Sequence, residues 1–308
     1  MKNTAPKYSV CIPAYNRPDT IRQAIQSIVG QTVTNWELIV TDDSSDDRVA
    51  TVVASFEDRR ILYVKNKQRL GLENNWNAGL TRARGEYVKM LMDDDYLHPT
   101  CLADQGQMLD RHPNVVLVCA NYRVVDLHDH PITVPNLGKD PYRLFRGDHV
   151  ESGSHFIVGY LTGRRRVGLP SAMLIRRSAL ERSGLVVTNA GVAADADLWL
   201  RLCVEGDFSY CDRQLLTMRW HESNLSKILE SGSYGYKSIL SLYRRWLRSD
   251  LVAISKSRGA IALAAAARVL PYYRLATEPE RRSIAVDLTS LPLTTLGKLR
   301  LRWWISRQ

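Results

Sequence analysis

Residues Tyr87-Val88-Lys89-Met90-Leu91-Met92 form an apolar run that ends directly in Asp93-Asp94-Asp95. A strand that delivers three consecutive carboxylates to its end concentrates negative charge, and that charge calls for a positive partner. Carboxylate oxygens are hard ligands suited to Mg²⁺ or Mn²⁺, ions that characteristically bridge the phosphates of a substrate. A solvated acidic turn is the competing reading of the triplet by itself. The surroundings decide between them.

The first 120 residues alternate between two periodicities. Tyr8–Pro13 is a short apolar strand, and Ile21, Ala24, Ile25 and Ile28 then recur at helical spacing until Gly30. Trp36–Thr41 and Ile61–Val64 read as strands, Asn74–Ala83 as a helix closed by Gly85, 86–92 as a strand, and 100–111 as a helix beginning just after Pro99. Repeated strand–helix units predict an α/β fold: a mostly parallel sheet with helices on both faces. Ligands of such sheets sit beyond the carboxyl ends of the strands. Asp42-Asp43 follows the second strand as the Asp triplet follows the fourth, so both acidic groups fall on one edge. Asp42–Asp46 also has the composition of a turn and helix cap.

Beyond Val115 the alternation loosens. Val115–Arg123 and Arg123–Leu127 read as strand, and Asp126–Pro131 as a turn whose His128 and His130 offer a weaker metal alternative. Residues 136–170, polar and glycine-rich, are expected to form a long loop or lid. Their Arg164-Arg165-Arg166 reads either as a phosphate clamp or as a solvated charge run. Ser171–Ile175 returns to strand, and Asp195–Cys203 is an amphipathic helix with Asp195 at its positive end.

The net charge of +10 lies wholly in the last quarter, where residues 234–308 hold 14 Lys/Arg against 4 Asp/Glu and the rest balances. Such asymmetry describes a patch on one module and argues against a general nucleic-acid binder. The expected division is a domain over 1–230 and a basic, amphipathic helical region over 231–308. Arg302-Trp303-Trp304 near the end suits an anionic membrane surface, while a helical cap packed on the protein is the alternative. The five cysteines form no CxxC pair and sit in apolar runs, as reduced buried thiols do. With no signal-like segment and no long uncharged apolar run, the expected location is cytoplasmic, peripheral on the inner face of the cell membrane.

Taken in order, Ser9–Asn16, Asp42–Asp46, Gly85-Glu86-Tyr87, Met92–Asp95, Asp195–Leu202 and Arg219–Glu222 resemble the motifs of family 2 glycosyltransferases of the GT-A fold. The likeness spans roughly residues 8–226; the tail carries no matching motif. It implies a metal-dependent, inverting enzyme that moves a sugar from a nucleotide-sugar donor, of UDP-hexose or dTDP-rhamnose type, to a glycan or lipid-linked acceptor, as in cell-surface polysaccharide biosynthesis. By the same resemblance Pro13, Ala14, Tyr15, Asp42, Asp43, Arg69 and Asp93 contact the donor. Asp94, Asp95 and His221 hold Mg²⁺ or Mn²⁺, a literal DXD reading pairing Asp93 with Asp95 instead. Asp195 is the catalytic base, although Ala194 stands where the family usually has Glu. Pro170-Ser171-Ala172 corresponds to the acceptor side. Rival readings are a nucleotidyltransferase, which normally carries a glycine-rich phosphate loop absent from Pro13–Arg17, and a non-catalytic nucleotide-sugar-binding or membrane scaffold protein.

Overall fold

A computed structural model describes residues 5–132, 144–165, 168–221, 233–250 and 258–291. The chain divides into two compact units. One comprises Met1–Gly153, Gly168–Val187 and Leu198–His221; the other comprises Ser154–Val167, Thr188–Asp197 and Glu222–Gln308.

The first unit is built on a single sheet. Its opening elements are β1 (Tyr8–Ala14), α1 (Pro18–Val29), β2 (Trp36–Asp42), α2 (Arg48–Ala54), β3 (Ile61–Lys65), α3 (Leu72–Leu80) and β4 (Tyr87–Met90). They are followed by β5 (Tyr96–Leu97), α4 (Cys101–Arg111), β6 (Val115–Val125), β7 (His149–Glu151), β8 (Met173–Arg176), α6 (Arg177–Ser183) and β9 (Asp207–Arg219); α5 (Gly153–Leu161), which comes between β7 and β8 in the chain, belongs from Ser154 onward to the second unit. The helix α7 (Ala194–Glu205) precedes β9. Strand order is β3-β2-β1-β4-β8-β6-β9-β5, with β7 added beside β9.

The half formed by β3, β2, β1 and β4 is parallel, as the alternation requires. Strand β1 is buried on both faces. Glycines let the chain crowd it: a Cβ on Gly79 of α3 would stand 3.2 Å from that of Cys11, and one on Gly85 would lie 2.6 Å from the backbone nitrogen of Ser9. The other half is mixed, since β8 runs antiparallel to both β4 and β6, while β6 and β9 are parallel.

Two local expectations change. The segment expected as a long loop over 136–170 contains β7 and α5, because β7 gains its partner from β9 and a three-residue strand has no pattern of its own. Residues 133–143 and 166–167, Arg166 among them, lie outside the described residues. The two expected strands over 115–127 are one strand, β6, bent by register shifts against β9. His128 and His130 belong to a turn in which their backbone N–H groups both donate to Asp126 Oδ1. All five cysteines are buried and unpaired.

In the second unit α8 (Ser233–Leu247), α9 (Arg258–Leu275) and α10 (Glu278–Thr289) pack together. Tyr236, Leu240, Tyr243, Trp246 and Leu247 of α8 are buried, as are Ile261, Ala265 and Val269 of α9. Thr277 and Glu280 form a reciprocal capping box that starts α10. Two of the arginines that give the tail its charge are paired internally, Arg244 with Asp287 at 3.0 Å and Arg245 with Asp197 at 3.1 Å. The tryptophan–arginine segment 298–307 and the expected boundary at 230 lie outside the described residues. Among the described residues no helix is long and apolar enough to cross a membrane.

Candidate active site

Register sets the site. Ala14 is aligned with Asp42 across β1 and β2, and Cys11 with Met90 across β1 and β4, so the chain ends that follow these strands meet at one rim. The loop leaving β1 is pinned there from both sides. Tyr15 N–H donates to Asp93 Oδ2 at 2.9 Å, and Asn16 N–H donates to Ser44 Oγ at 2.8 Å. Asn16 adopts a left-handed φ of 53°, which asparagine tolerates better than most residues.

Asp42 is brought to the rim but closed off from solvent: Tyr63 OH (2.6 Å), Lys65 Nζ (3.2 Å) and Ser44 N–H (2.8 Å) occupy its carboxylate. Asp43 accepts from Asn66 Nδ2 (2.7 Å) and from the N–H groups of Leu70 (3.1 Å) and Gly71 (2.9 Å). It thereby folds the 66–71 loop so that the Arg69 guanidinium lies 4.4 Å from the centre of the half-exposed Tyr15 ring. A stacked aromatic and guanidinium beside polar acceptors is a surface suited to a planar base. Pro13 and Ala14 supply the floor, where the Ala14 carbonyl accepts from Asp43 N–H and Asn75 Nδ2.

The Asp triplet splits three ways. Asp93 receives Tyr15 N–H and, at 2.9 Å, Arg17 Nη1. Asp94 Oδ2 receives the same Arg17 nitrogen at 2.8 Å and lies 3.2 Å from His221 Nε2. Asp95 is held by other groups: Ser171 Oγ donates to it at 2.5 Å and Arg219 N–H at 3.1 Å. Burial, with Asp94 adding repulsion, pushes the Asp93 and Asp95 carboxyls upward; Arg17 and Tyr15 N–H pull Asp93 back, as Ser171 and Arg219 N–H do Asp95.

Arg219 fixes this arrangement from below, donating to the Asp94 carbonyl at 2.9 Å, to Asp129 Oδ1 at 2.8 Å and to Gln23. It stacks 5.0 Å from the Tyr96 ring centre. Arg17 was not among the residues expected from the sequence. Nothing in its local sequence marks it, since it meets Asp93 only because the ends of β1 and β4 come together.

Of the triplet, Asp94 is the member that stands beside a second residue able to ligate a divalent ion, His221. Among the described residues no three His, Cys, Asp or Glu side chains form a cage by themselves. Asp94 and His221 nevertheless converge, and Mg²⁺ or Mn²⁺ commonly takes one or two protein ligands and completes its shell with phosphates and water.

Asp195 belongs to the second unit and opens α7. It keeps some solvent contact, yet dense surroundings raise its carboxyl to about 6 against the pull of the Ala196 N–H, 2.6 Å from Oδ1. Asp197, one turn-position on, is instead matched by Arg245.

The sequence profile of glycosyl transferase family 2 matches residues 9–182. This chain belongs to that family. The glycosyltransferase is 33% identical over 253 residues to an uncharacterized glycosyltransferase of Rickettsia prowazekii, covering 82% of this chain and 76% of the relative. It is 33% identical over 118 residues to the UDP-Glc:alpha-D-GlcNAc-diphosphoundecaprenol beta-1,3-glucosyltransferase WfgD of Escherichia coli. That match covers 38% of this chain and only 46% of the relative. Staphylococcus aureus TarS, solved in complex with UDP-GlcNAc, superposes with a TM-score of 0.72 at 17% identity, covering 92% of this glycosyltransferase and 80% of the solved chain. The GT-A fold expected from the sequence is therefore the fold of this glycosyltransferase, with C-terminal helices added.

Proposed function

We infer that this glycosyltransferase moves a hexose-type sugar from a nucleotide-sugar donor to a hydroxyl of a lipid-linked or glycan acceptor, with inversion. The observation that carries the reading is the meeting of Tyr15, Arg69 and the Asp93–Asp94 pair at the carboxyl ends of β1, β2 and β4. A flat cationic and aromatic surface for a base stands there beside carboxylates for a cation and ribose hydroxyls. The diphosphoundecaprenol named in the relative's activity supports the lipid-linked acceptor class and assembly of cell-surface polysaccharide.

Tyr15 and Arg69 hold the base, and Asp42 and Asp43 act through the 63–71 segment that places Arg69. Asp93 accepts a ribose hydroxyl. Asp94 and His221 would hold Mg²⁺ or Mn²⁺, which supplies Lewis-acid neutralisation of the departing diphosphate. Asp195 takes the proton from the acceptor hydroxyl as that oxygen bonds to the anomeric carbon and the bond from this carbon to the diphosphate oxygen breaks. A carboxyl raised to about 6 is a stronger base than an ordinary aspartate and is still ionised at neutral pH.

The test is the Asp195→Asn variant. UDP binding by calorimetry should persist while UDP release in the presence of acceptor falls by about 10³-fold or more, beyond the ~10²–10⁴ attributed to general-base catalysis at its lower end. Undiminished turnover would remove Asp195 from the mechanism.

A further inference from the structure

We propose that Arg17 occupies the cation seat on Asp94 until donor arrives, so that divalent metal binds together with the nucleoside diphosphate and not before it. The inference rests on the reading of Asp94 and His221 as the metal-holding pair, and it adds an order of binding that this reading does not contain.

The geometry points to mutual exclusion at one oxygen. Asp94 Oδ2 faces Arg17 Nη1 at 2.8 Å and His221 Nε2 at 3.2 Å. A carboxylate oxygen has two lone-pair directions, and both are spoken for. His221 Nε2 is the second group on that oxygen, so a cation on Oδ2 has to take the place that Arg17 holds. Metal entry therefore has to displace a guanidinium from that oxygen. A divalent ion and a guanidinium sharing one buried oxygen also repel each other strongly where water is scarce. Both Asp93 and Asp94 side chains are less than a tenth exposed, at 6% and 7%.

Arg17 is placed to yield. Its side chain is 27% exposed, and it immediately precedes Pro18, the first residue of α1. A diphosphate at the rim gives its planar fork a bidentate partner of greater charge. Arg17 then passes from the carboxylates to the phosphates, and the oxygen it leaves becomes available. Without nucleotide, the guanidinium neutralises the Asp93–Asp94 pair and keeps stray cations out. Arg17 is thus a positioning residue for donor and cation, and it forms no bond to the reacting carbon.

Manganese alone is the probe, its free concentration read from the electron paramagnetic resonance signal of the aquo ion. The wild-type protein should bind Mn²⁺ at least ~10-fold more tightly with UDP than without it. Arg17→Gln should tighten binding without UDP by ~10-fold or more, Arg17→Lys should restore the exclusion, and Asp94→Asn added to Arg17→Gln should abolish the gain. An unchanged nucleotide-free affinity in Arg17→Gln overturns the proposal while leaving the metal reading intact, provided wild type binds Mn²⁺ with UDP. Failure of wild type to bind Mn²⁺ even with UDP overturns the metal reading itself. Should Arg17→Gln not fold, crystals of the unaltered protein with UDP and Mn²⁺ decide. Arg17 beyond hydrogen-bond distance of Asp94 supports the proposal, and Arg17 still bonded beside a bound ion refutes it.

Discussion

The hydroxyl of Ser171 lies 2.5 Å from Asp95 Oδ2 and accepts the Met92 N–H at 3.0 Å, so one side chain stitches the approach to β8 onto the end of β4. Asp95 completes the stitch by accepting Arg219 N–H from the end of β9. Its oxygens are thus engaged in holding three strand ends together, while Asp94 faces His221. The two neighbours should therefore fail differently. Asp94→Asn should abolish Mn²⁺ binding in the presence of UDP and leave the melting temperature nearly unchanged. Asp95→Asn should keep Mn²⁺ binding within a few-fold but cost about 1–3 kcal/mol of stability, since its amide turns a donor toward another donor. Urea unfolding and manganese titration of both variants separate the roles, and equal loss of metal binding in the two would show that Asp95 is also a ligand.

Asp195 predicts a pH profile. Its carboxyl is raised to about 6, with burial as the cause, and only the ionised form can accept a proton from the acceptor. The ratio kcat/KM should therefore rise with pH through about 6 and level off above 7. Stability carries the opposite sign: the folded state prefers the protonated acid, so Asp195 costs stability once pH exceeds its unfolded value near 3.9, and the full cost is reached above 6. Asp195→Asn should be inactive and, at pH 7, more stable than wild type by about 1 kcal/mol, discounted for partial solvent contact. An acid limb centred near 4 would mean the site around Asp195 is far more polar than its packing indicates.

What could be read from the residues was whatever depends on local order. Strands β1 to β4 announce themselves by apolar runs closed with polar groups, and their parallel pairing follows from the helices between them. The same logic placed Asp42, Asp43 and Asp93–Asp95 at one edge. Strands β5 and β7 stayed hidden because two or three residues carry no period, and only β9 defines them. Arg17 stayed hidden for a related reason: an arginine before Pro18 looks like a surface residue until β1 and β4 bring their ends together. Nor could spacing reveal that Asp42 is sealed beneath Tyr63 and Lys65, or that tail arginines such as Arg245 face an internal acid.

Gly85 accounts for one motif in steric terms. A Cβ there would stand 2.6 Å from Ser9 N and 2.8 Å from Ser9 Oγ, inside contact distance of a backbone that cannot move without disturbing β1. Ser9 Oγ also accepts the Gly85 N–H at 2.7 Å and donates to Glu37 Oε1 at 2.6 Å, so displacement would loosen a buried network. Gly85→Ala should cost about 2–4 kcal/mol, at or above the upper range for overpacking, and lower the urea midpoint without changing its slope. A loss under ~0.5 kcal/mol would show that the β1 edge yields freely.

Lys89, wholly buried in the centre of the sheet, makes the last case. Its ammonium donates to Gln105 Oε1 at 2.8 Å and to the Met173 carbonyl at 3.3 Å, while Gln105 Nε2 donates to the carbonyls of Val118 and Ala172. Burial lowers the Lys89 pKa against the opposing pull of Cys101, Cys119 and Asp95, so the amine depends on its hydrogen-bond acceptors. Removing one partner should be worse than removing the charge itself. Gln105→Leu, which takes the nearer of the two acceptors from the Lys89 amine and the donor from two carbonyls, should cost about 3–5 kcal/mol. Lys89→Met, close in volume and free of charge, should cost less than about 1.5 kcal/mol, because Gln105 keeps its two carbonyl acceptors. The double variant should recover at least about 1 kcal/mol relative to Gln105→Leu alone, a coupling that a double-mutant cycle in urea reads directly. Strict additivity of the two substitutions would mean that Lys89 is neutral in the fold and Gln105 serves only the backbone.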